Sequence, residues 1–380
     1  MSLIRQSIQF DKQLLDSDAL KIVKKLNKTG YEAYLVGGCI RDLLLGYAPK
    51  DFDIATNATP EQIQKLFKRS RIIGRRFKLV HIMFSARKFI EVATFRSGRN
   101  NSTSTKGMVL RDNFYGSLED DVFRRDFTIN GLYFDVQNYE VIDYVGGLDD
   151  LEKLQINMIG SPSERFEEDP VRMIRAVRFK AKLKATIDPI LIKSILNNAH
   201  LIENIPPARL YEEVIKLFHN ENSLEVFREL SNLGILKYLF PQTTEDAFIS
   251  ASLINTSQRI KIGSSVTPAF LFAVFLWSAQ NKRFNELKKK KMSRIDLMIK
   301  ASEDVIKKQV QQVMMPRWLS GRVKDIWLMQ YRLENSNPKK SKELLNNPRF
   351  RMAYDFFVLR SESIDQQLKS KAEYWTNIQK

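Results

Sequence analysis

The stretch from Leu35 to Ala55 constrains this chain more than any other. It reads Leu35-Val36-Gly37-Gly38-Cys39-Ile40-Arg41-Asp42-Leu43-Leu44-Leu45-Gly46, then Asp51-Phe52-Asp53-Ile54-Ala55. The apolar run from Tyr31 to Val36 predicts a short buried strand that ends in two glycines. A short helical turn follows, and then a second strand carries Asp51 and Asp53. Residues two apart on a strand share a face, so the two carboxylates project together. Side by side they repel, and Mg²⁺, which commonly bridges one or two carboxylates to phosphates, would offset that repulsion. Gly37 and Gly38 have no Cβ, so their backbone N–H groups can approach a phosphate closely. Either motif alone is an ordinary turn. Together, with Arg41 and Asp42 between them, they point to metal-dependent nucleotidyl transfer.

Charge bounds the partners. The chain has 380 residues and a formal net charge of +17. Residues 281–380 contain 23 Lys+Arg and 11 Asp+Glu, a net of +12, which leaves +5 for the first 280. A basic tail on a nearly balanced body suggests a polyanion held by the C-terminal part. Hydrophobic content of 43% supports real cores, and the length suits two or three domains. The N-terminus lacks the long apolar core of a secretory leader, and no run approaches the roughly 20 apolar residues that span a bilayer. Pro268 to Ala279, the most apolar segment, is short enough to read as a buried helix. Cys39 is the single cysteine, which excludes an internal disulfide framework and a multi-cysteine zinc site. The expected compartment is the cytoplasm, with no membrane partner.

Along the chain, Asp16 to Asn27 predicts an amphipathic helix with Gly30 beyond its end. Thr59-Pro60-Glu61-Gln62 predicts a helix start with a capping box. Phe77–Phe84 and Lys88–Phe95 are strand-like, and Leu132–Val136 and Glu140–Tyr144 are two more strands joined by a turn. Ser97 to Asn113 reads as a polar loop at the edge of the site. From about Ser163 the pattern is helical almost throughout. The fold class is therefore α+β: a small head with a mixed sheet and helices, followed by a long helical remainder.

Several further residues carry chemistry. Glu91, an acid in an apolar strand, is a third candidate carboxylate for catalysis, and Arg96 a candidate for triphosphate oxygens. Arg124-Arg125-Asp126 places two cations beside an acid, and a helical turn would bring Asn130 onto the face of Asp126 to hold a nucleotide. Arg125 could meet phosphate, although a salt-bridge cluster explains the same residues. In Glu168-Asp169-Pro170-Val171-Arg172-Met173-Ile174-Arg175, Asp169 caps a helix. Arg172, Arg175 and Arg178 recur every three residues on one side. Asp169 accepts and Arg172 donates, which complements the Watson–Crick edge of adenine and would select a nucleotide without a template. His81, His200 and His219 lack the spacing of a zinc helix. Cations interleaved with aromatics at Pro316-Arg317-Trp318, Trp327 to Arg332 and Pro348 to Tyr354 suit single-stranded nucleic acid, or else these aromatics are helix core.

These blocks together resemble the class II nucleotidyltransferases, which include bacterial poly(A) polymerases and tRNA CCA-adding enzymes. The resemblance rests on Gly37-Gly38 through Asp53, Arg124 to Asn130 and Glu168 to Arg175. It implies two Mg²⁺ ions on Asp51 and Asp53, a role for Asp126 at the active site with Arg125 nearby, and base readout by Asp169 and Arg172. Gly37, Gly38, Arg41, Arg96, Arg125, Asn130 and Arg175 are the remaining nucleotide-binding candidates. The implied architecture is a head (1–155), a helical neck (156–230), and a helical body with a basic tail (231–380). Ile72 to Ile82 and the segment from Pro316 through Tyr354 look like the poly(A) polymerase branch. Gly131 departs from the alanine or serine frequent in the family and is expected to be tolerated. The implied activity is template-independent addition of AMP from ATP to RNA 3′ ends, with release of pyrophosphate. CCA addition to tRNA and non-catalytic RNA binding are the alternatives, and an RNA-degradation machinery is a candidate protein partner.

Overall fold

A computed structural model of the chain describes residues 3–74, 78–97, 102–103, 109–111, 115–289, 291–335 and 338–379. Residues 75–77 of the branch-specific stretch and most of the 97–113 loop lie outside the described residues. The chain divides into two compact units, Met1–Arg172 with Leu183–Asn198, and Met173–Lys182 with Ala199–Lys380.

The first unit is built on an eight-stranded mixed sheet. Its strands are β1 (Ile4–Ser7), β2 (Ala33–Val36), β3 (Asp53–Thr56), β4 (Ser70–Ile73), β5 (Leu79–Met83), β6 (Phe89–Thr94), β9 (Tyr133–Asp135) and β10 (Glu140–Asp143), with β7 (Ser102–Thr103) and β8 (Val109–Arg111) forming a separate pair. The spatial order is β1-β10-β9-β2-β3-β6-β5-β4. Only the β3–β6 neighbours run parallel; the other pairs in this sheet are antiparallel.

Local chemistry sets the helices around the sheet. α1 (Ser17–Lys28) is capped by Asp16, whose side chain accepts from the Asp18 and Ala19 N–H groups. It buries Ala19, Ile22, Val23 and Leu26, as its amphipathic pattern requires. α2 (Gly38–Leu44) is the short turn after the glycine pair. α3 (Pro60–Leu66) starts in the Thr59–Gln62 capping box, with both reciprocal bonds made. Two sequence readings shift. The strand begins at Asp53 rather than at Asp51, so Asp51 stands in the loop leading into β3. The run from Asp126 to Asn130 is no α-helix: α4 (Leu118–Phe123) ends before it, Phe127 is extended, and a 3-10 turn covers Thr128–Asn130. Past the sheet come α5 (Gly147–Glu152), the short parallel pair β11 (Gln155–Ile156) and β12 (Thr186–Ile187), α6 (Pro162–Glu168), α7 (Val171–Leu183) and α8 (Pro189–Asn198).

The second unit is helical among its described residues, from Met173–Lys182 of α7 through α9 (Pro207–Phe218), α10 (Ser223–Asn232), α11 (Leu236–Leu239), α12 (Ala247–Lys261), α13 (Pro268–Phe275), α14 (Trp277–Leu287), α15 (Arg294–Gln312), α16 (Arg317–Asn335), α17 (Pro338–Leu345), α18 (Phe350–Ser363) and α19 (Lys369–Asn377). α13 is buried on almost every side, which its lack of charge permits. α16 packs against it, and the Trp327 indole N–H donates to the Ala273 carbonyl at 3.1 Å. Phe350, Phe357 and Trp375 close a core with Met329 and Leu333. No helix among the described residues is long and apolar enough to cross a membrane.

Candidate active site

Strand register places the acids. Across the sheet, Val36 of β2 stands opposite Asp53, Asp53 opposite Glu91, and Glu91 opposite His81. Directly paired residues share a sheet face, so Asp53, Glu91 and His81 form one row. Asp51 lies exposed just before β3. The glycine pair follows Val36 and so borders Asp53. His81 packs as a strand residue, stacked on Phe89 with ring centroids 4.2 Å apart, and its Nε2 lies 3.1 Å from Glu91 Oε1.

The carboxylates interact before any ligand arrives. Loss of hydration pushes the Asp53 carboxyl up to about 6, with Glu91 and Asp51 adding like charge and Arg125 opposing them. The donor set is all oxygen and carries excess negative charge, which fits a hard divalent cation. Among the described residues no group of three or more His, Cys, Asp and Glu is arranged to hold a metal ion. Two protein carboxylates with water and phosphate completing the shell are the normal manner of Mg²⁺ binding. Cys39 beside them is inert, because burial pushes its thiol up to about 12.

Opposite the acids is a cationic wall. Gly37 has φ +76°, which a side-chain-bearing residue adopts only with strain, and a Cβ there would meet Arg125 Nη1 at 3.2 Å. Glycine thus lets the β2–α2 turn lie directly against the Arg125 guanidinium. That guanidinium donates through Nε to the Tyr133 hydroxyl at 2.7 Å and through Nη2 to Asp121 at 3.1 Å. Asp121 is the hub: it also accepts from Arg124 Nε at 2.8 Å, from the Arg96 backbone N–H at 3.1 Å and from the Tyr133 hydroxyl. Burial alone would raise its carboxyl, but Arg125, Arg124 and the Tyr133 hydroxyl outweigh that and hold it well below the usual range. Neither Asp121 nor Tyr133 is conspicuous in the sequence; the available signal is the spacing of Asp121 to Arg124 and Arg125, three and four residues on.

Asn130 and Asp126 do meet, with Asn130 Nδ2 donating to Asp126 Oδ1 at 3.2 Å, across the 3-10 turn instead of a helix face. Asp126 Oδ1 also caps the Phe127 N–H at 2.9 Å. Asn130 is further held by Arg41 Nη1 at 2.6 Å, and Arg41 is buried against its neighbour Asp42. The structure thus makes Arg41 a brace for Asn130 and the α2 turn. At Gly131 an added methyl would meet Val145 Cγ2 at 3.0 Å and both Ile159 Cδ1 and the Thr128 backbone carbonyl at 3.2 Å, so alanine there would require the turn as well as the side chains to give way.

A second chain of contacts runs to the base-reading candidates. Arg165, nearly buried, donates through Nη2 to the backbone carbonyls of Arg124 and Arg125 and through Nη1 to Glu168 Oε2. The same Glu168 oxygen accepts from Arg172 Nη1 at 2.8 Å, and Arg172 also donates to the Arg165 carbonyl at 2.7 Å. Asp169 Oδ1 accepts from the Val171 N–H at 3.3 Å at the head of α7. Burial, with Arg172 adding like charge, pushes the Arg165 guanidinium down to about 10, so it remains cationic at neutral pH. Arg165 and Glu168 are further site residues that sequence reasoning missed, although their spacing, three residues from Arg165 to Glu168 and four from Glu168 to Arg172, is that of an ion-pair ladder. Arg175 belongs to the second unit, its guanidinium 5.4 Å over the Phe179 ring.

In the second unit the aromatic residues of the basic tail are mostly core. Trp327 and Trp375 are fully buried, and Phe350 and Tyr354 nearly so. Arg351 pairs with Asp355, and Arg360 is buried against Glu334. Trp318 and Tyr374 are exposed; Trp318, at 48%, has the Arg322 guanidinium 5.2 Å over its ring.

Comparison with known proteins gives the family. Residues 33–157 match the poly A polymerase head domain, residues 186–246 a probable RNA and SrmB-binding site of polymerase A, and residues 290–380 the polymerase A arginine-rich C-terminus. The chain is 41% identical to poly(A) polymerase I of Salmonella typhi, over 99% of this chain and 85% of that protein. It is 39% identical to poly(A) polymerase I of Haemophilus influenzae, over 98% and 87%. A CCA-adding enzyme of Limosilactobacillus reuteri is 38% identical over 62% of this chain and 58% of its own. Among solved structures, the Bacillus stearothermophilus CCA-adding enzyme in complex with CTP superposes with a TM-score of 0.66 at 24% identity, covering 95% of this chain and 82% of that one, a likeness of fold. The chain belongs to the poly(A) polymerase family of nucleotidyltransferases.

Proposed function

We propose that this polynucleotide adenylyltransferase joins AMP from ATP to RNA 3′ ends through the Asp51, Asp53 and Glu91 cluster. Template independence and adenylyl transfer follow from the family, whose poly(A) polymerase I members align over nearly the whole chain. The CCA-adding relative aligns over less of it, which favours AMP addition over CCA addition. The observation that carries the site assignment is the strand register that sets Asp53 directly opposite Glu91, with Asp51 in the loop just before it: like charges gathered there are a cost that a bound cation offsets.

In this reading Asp51 and Asp53 hold two Mg²⁺ ions. Bound there, the ions lower the pKa of the RNA 3′-hydroxyl and neutralise the triphosphate. The protein's own groups do the positioning. The Gly37-Gly38 backbone meets the triphosphate closely, because glycine at 37 takes a positive φ and brings the turn against Arg125 with no Cβ between them. Arg125, oriented by Tyr133 and Asp121, offers a fixed positive charge to the departing pyrophosphate. Asp126 and Asn130, braced by Arg41, face the nucleotide sugar. Glu91 orients or activates the attacking hydroxyl from the strand beside Asp53. Asp169 and Arg172 read the adenine edge, with Arg172 aimed by Glu168. Arg96 and Arg175 are further phosphate contacts. The head (1–155), neck (156–230) and body with tail (231–380) divide catalysis from RNA binding. The segment 186–246, which matches a probable RNA and SrmB-binding site of polymerase A, contacts RNA; an RNA-degradation machinery is the protein partner, and the enzyme works in the cytoplasm.

Asp51→Ala tests the assignment. It should abolish turnover while RNA affinity, measured by filter binding, changes less than about twofold. Retained turnover, or lost RNA binding, would sink it.

A further inference from the structure

The head carries a second cationic surface, on the sheet face turned away from Asp53. Register fixes that face. His81 stands opposite Glu91, so Ile82, the next residue of β5, projects the other way. Ile82 and Phe84 form one wall of a groove of about 400 Å³ between α1 and the end of α3. Lys21 and Lys25 reach it from α1, Lys65 from α3, and Lys68 and Arg69 from the turn that follows; Phe67 and Phe84 expose part of their rings among them. No carboxylate lines this groove.

Helix ends attract cations, so part of this charge has a structural cause. That part is met by Lys65, in the last turn of α3, and by Lys25, whose Nζ donates to the Leu66 carbonyl at the end of α3, 2.7 Å away, and lies 4.6 Å over the Phe67 ring. Lys21 is paired with Asp18 at 2.9 Å. Lys65, Lys68 and Arg69 are exposed and make no ion pair among the described residues. Lys65, Lys68 and Arg69 lie within about one turn of chain and repel one another, a cost that an RNA backbone would offset. Phe67 and Phe84 are partly exposed, each with a lysine ammonium over its ring (Lys25 at 4.6 Å and Lys88 at 5.7 Å), so aromatic and cationic groups alternate along the groove as single-stranded nucleic acid requires.

We propose that this groove binds single-stranded RNA upstream of the 3′ end, so that a primer long enough to pass round the β4 edge is held on both faces of the head sheet. The inference rests on RNA being the primer, as proposed above. It predicts a length dependence: a short oligoadenylate engages only the Asp53 face, while a long one gains the groove as well.

The test is the triple variant Lys65→Ala, Lys68→Ala, Arg69→Ala, all at exposed positions away from Asp51 and Asp53. Binding of short and long labelled oligoadenylates is followed by fluorescence anisotropy across a salt series, beside primer extension with ATP. For the long primer, affinity should fall about tenfold, and the slope of log affinity against log salt should become shallower by roughly two, the value for three single-strand phosphates. Affinity for the short primer, and kcat on it, should stay at the wild-type level. An unchanged long-primer slope overturns the proposal, as does an equal loss for both lengths, which would place the effect at the 3′-end site. Loss of polyglutamate binding with RNA binding intact would also overturn it and assign the groove to an acidic protein. If the wild type extends no primer yet shows the length-dependent slope, the adenylyltransferase reading fails while the groove stands.

Discussion

Asp53 and Glu91 stand directly opposite each other on the single parallel strand pair of the head sheet, and their like charges help push the Asp53 carboxyl up to about 6. This has a sign that can be checked. A carboxyl raised in the fold gives stability that is complete below its unfolded value near 4 and is lost as pH rises through about 6. Without divalent ions the wild type should therefore be less stable at pH 8 than Asp53→Asn, by roughly 1–3 °C in Tm once solvent screening is allowed for. The gap should close at pH 4 and also on adding Mg²⁺ at pH 8. Differential scanning fluorimetry in chelator and in Mg²⁺ reads all three conditions.

Asp121 has the opposite sign. Its carboxyl is held well below the usual range, so its contribution is present above about pH 4 and is lost as pH falls. Asp121→Ala leaves Arg124, Arg125 and the Tyr133 hydroxyl without their shared acceptor, a loss of about 3–5 kcal/mol. Urea unfolding at pH 7 should show it, and the difference from wild type should shrink toward pH 3.

Selectivity should separate from catalysis at Arg172. Arg172→Ala should reduce the ratio of kcat/KM for ATP to that for CTP by roughly tenfold or more, because a base edge is left without its donor. Glu168→Gln, which weakens the hold on Arg172 without removing it, should shift the ratio the same way by less. An unchanged ratio in both variants would remove base readout from these residues.

Gly37→Ala tests the turn against Arg125. A positive φ and a Cβ contact of 3.2 Å should cost about 1–3 kcal/mol of stability and most of the activity. Gly46→Ala is the control. Its φ is also +76° but nothing lies within 4 Å of its Cβ, so it should show the backbone cost alone, with activity retained.

Much of this arrangement was legible because it is local. The capping box at Thr59–Gln62 and the glycine-ended strand at Val36 are each encoded within a few residues. Glu91 could be singled out because an acid in an apolar strand needs a reason, yet only strand register shows that its neighbour is Asp53. Asp126 and Asn130 meet as their spacing suggested, but through a 3-10 turn, since Asn157 supplies the carbonyl that holds the Thr128 N–H. Asp121, Tyr133 and Arg165 were not legible. Each acts by joining segments distant in sequence, and Arg165 reaches 40 residues back to the Arg125 carbonyl. The tail aromatics misled as stacking surfaces for the same reason: whether Trp327 or Trp375 faces water or core depends on helix packing, which interleaved cations do not report.

The most direct test of the central claim is primer extension with purified protein, Mg²⁺, an unstructured RNA and each NTP in a separate reaction, resolved on a denaturing gel. The account predicts a long ladder with ATP, little product with CTP, GTP or UTP, and none with Asp51→Ala. Efficient CTP incorporation that stops at C, C and A on a trimmed tRNA would contradict it, as would RNA binding without any extension.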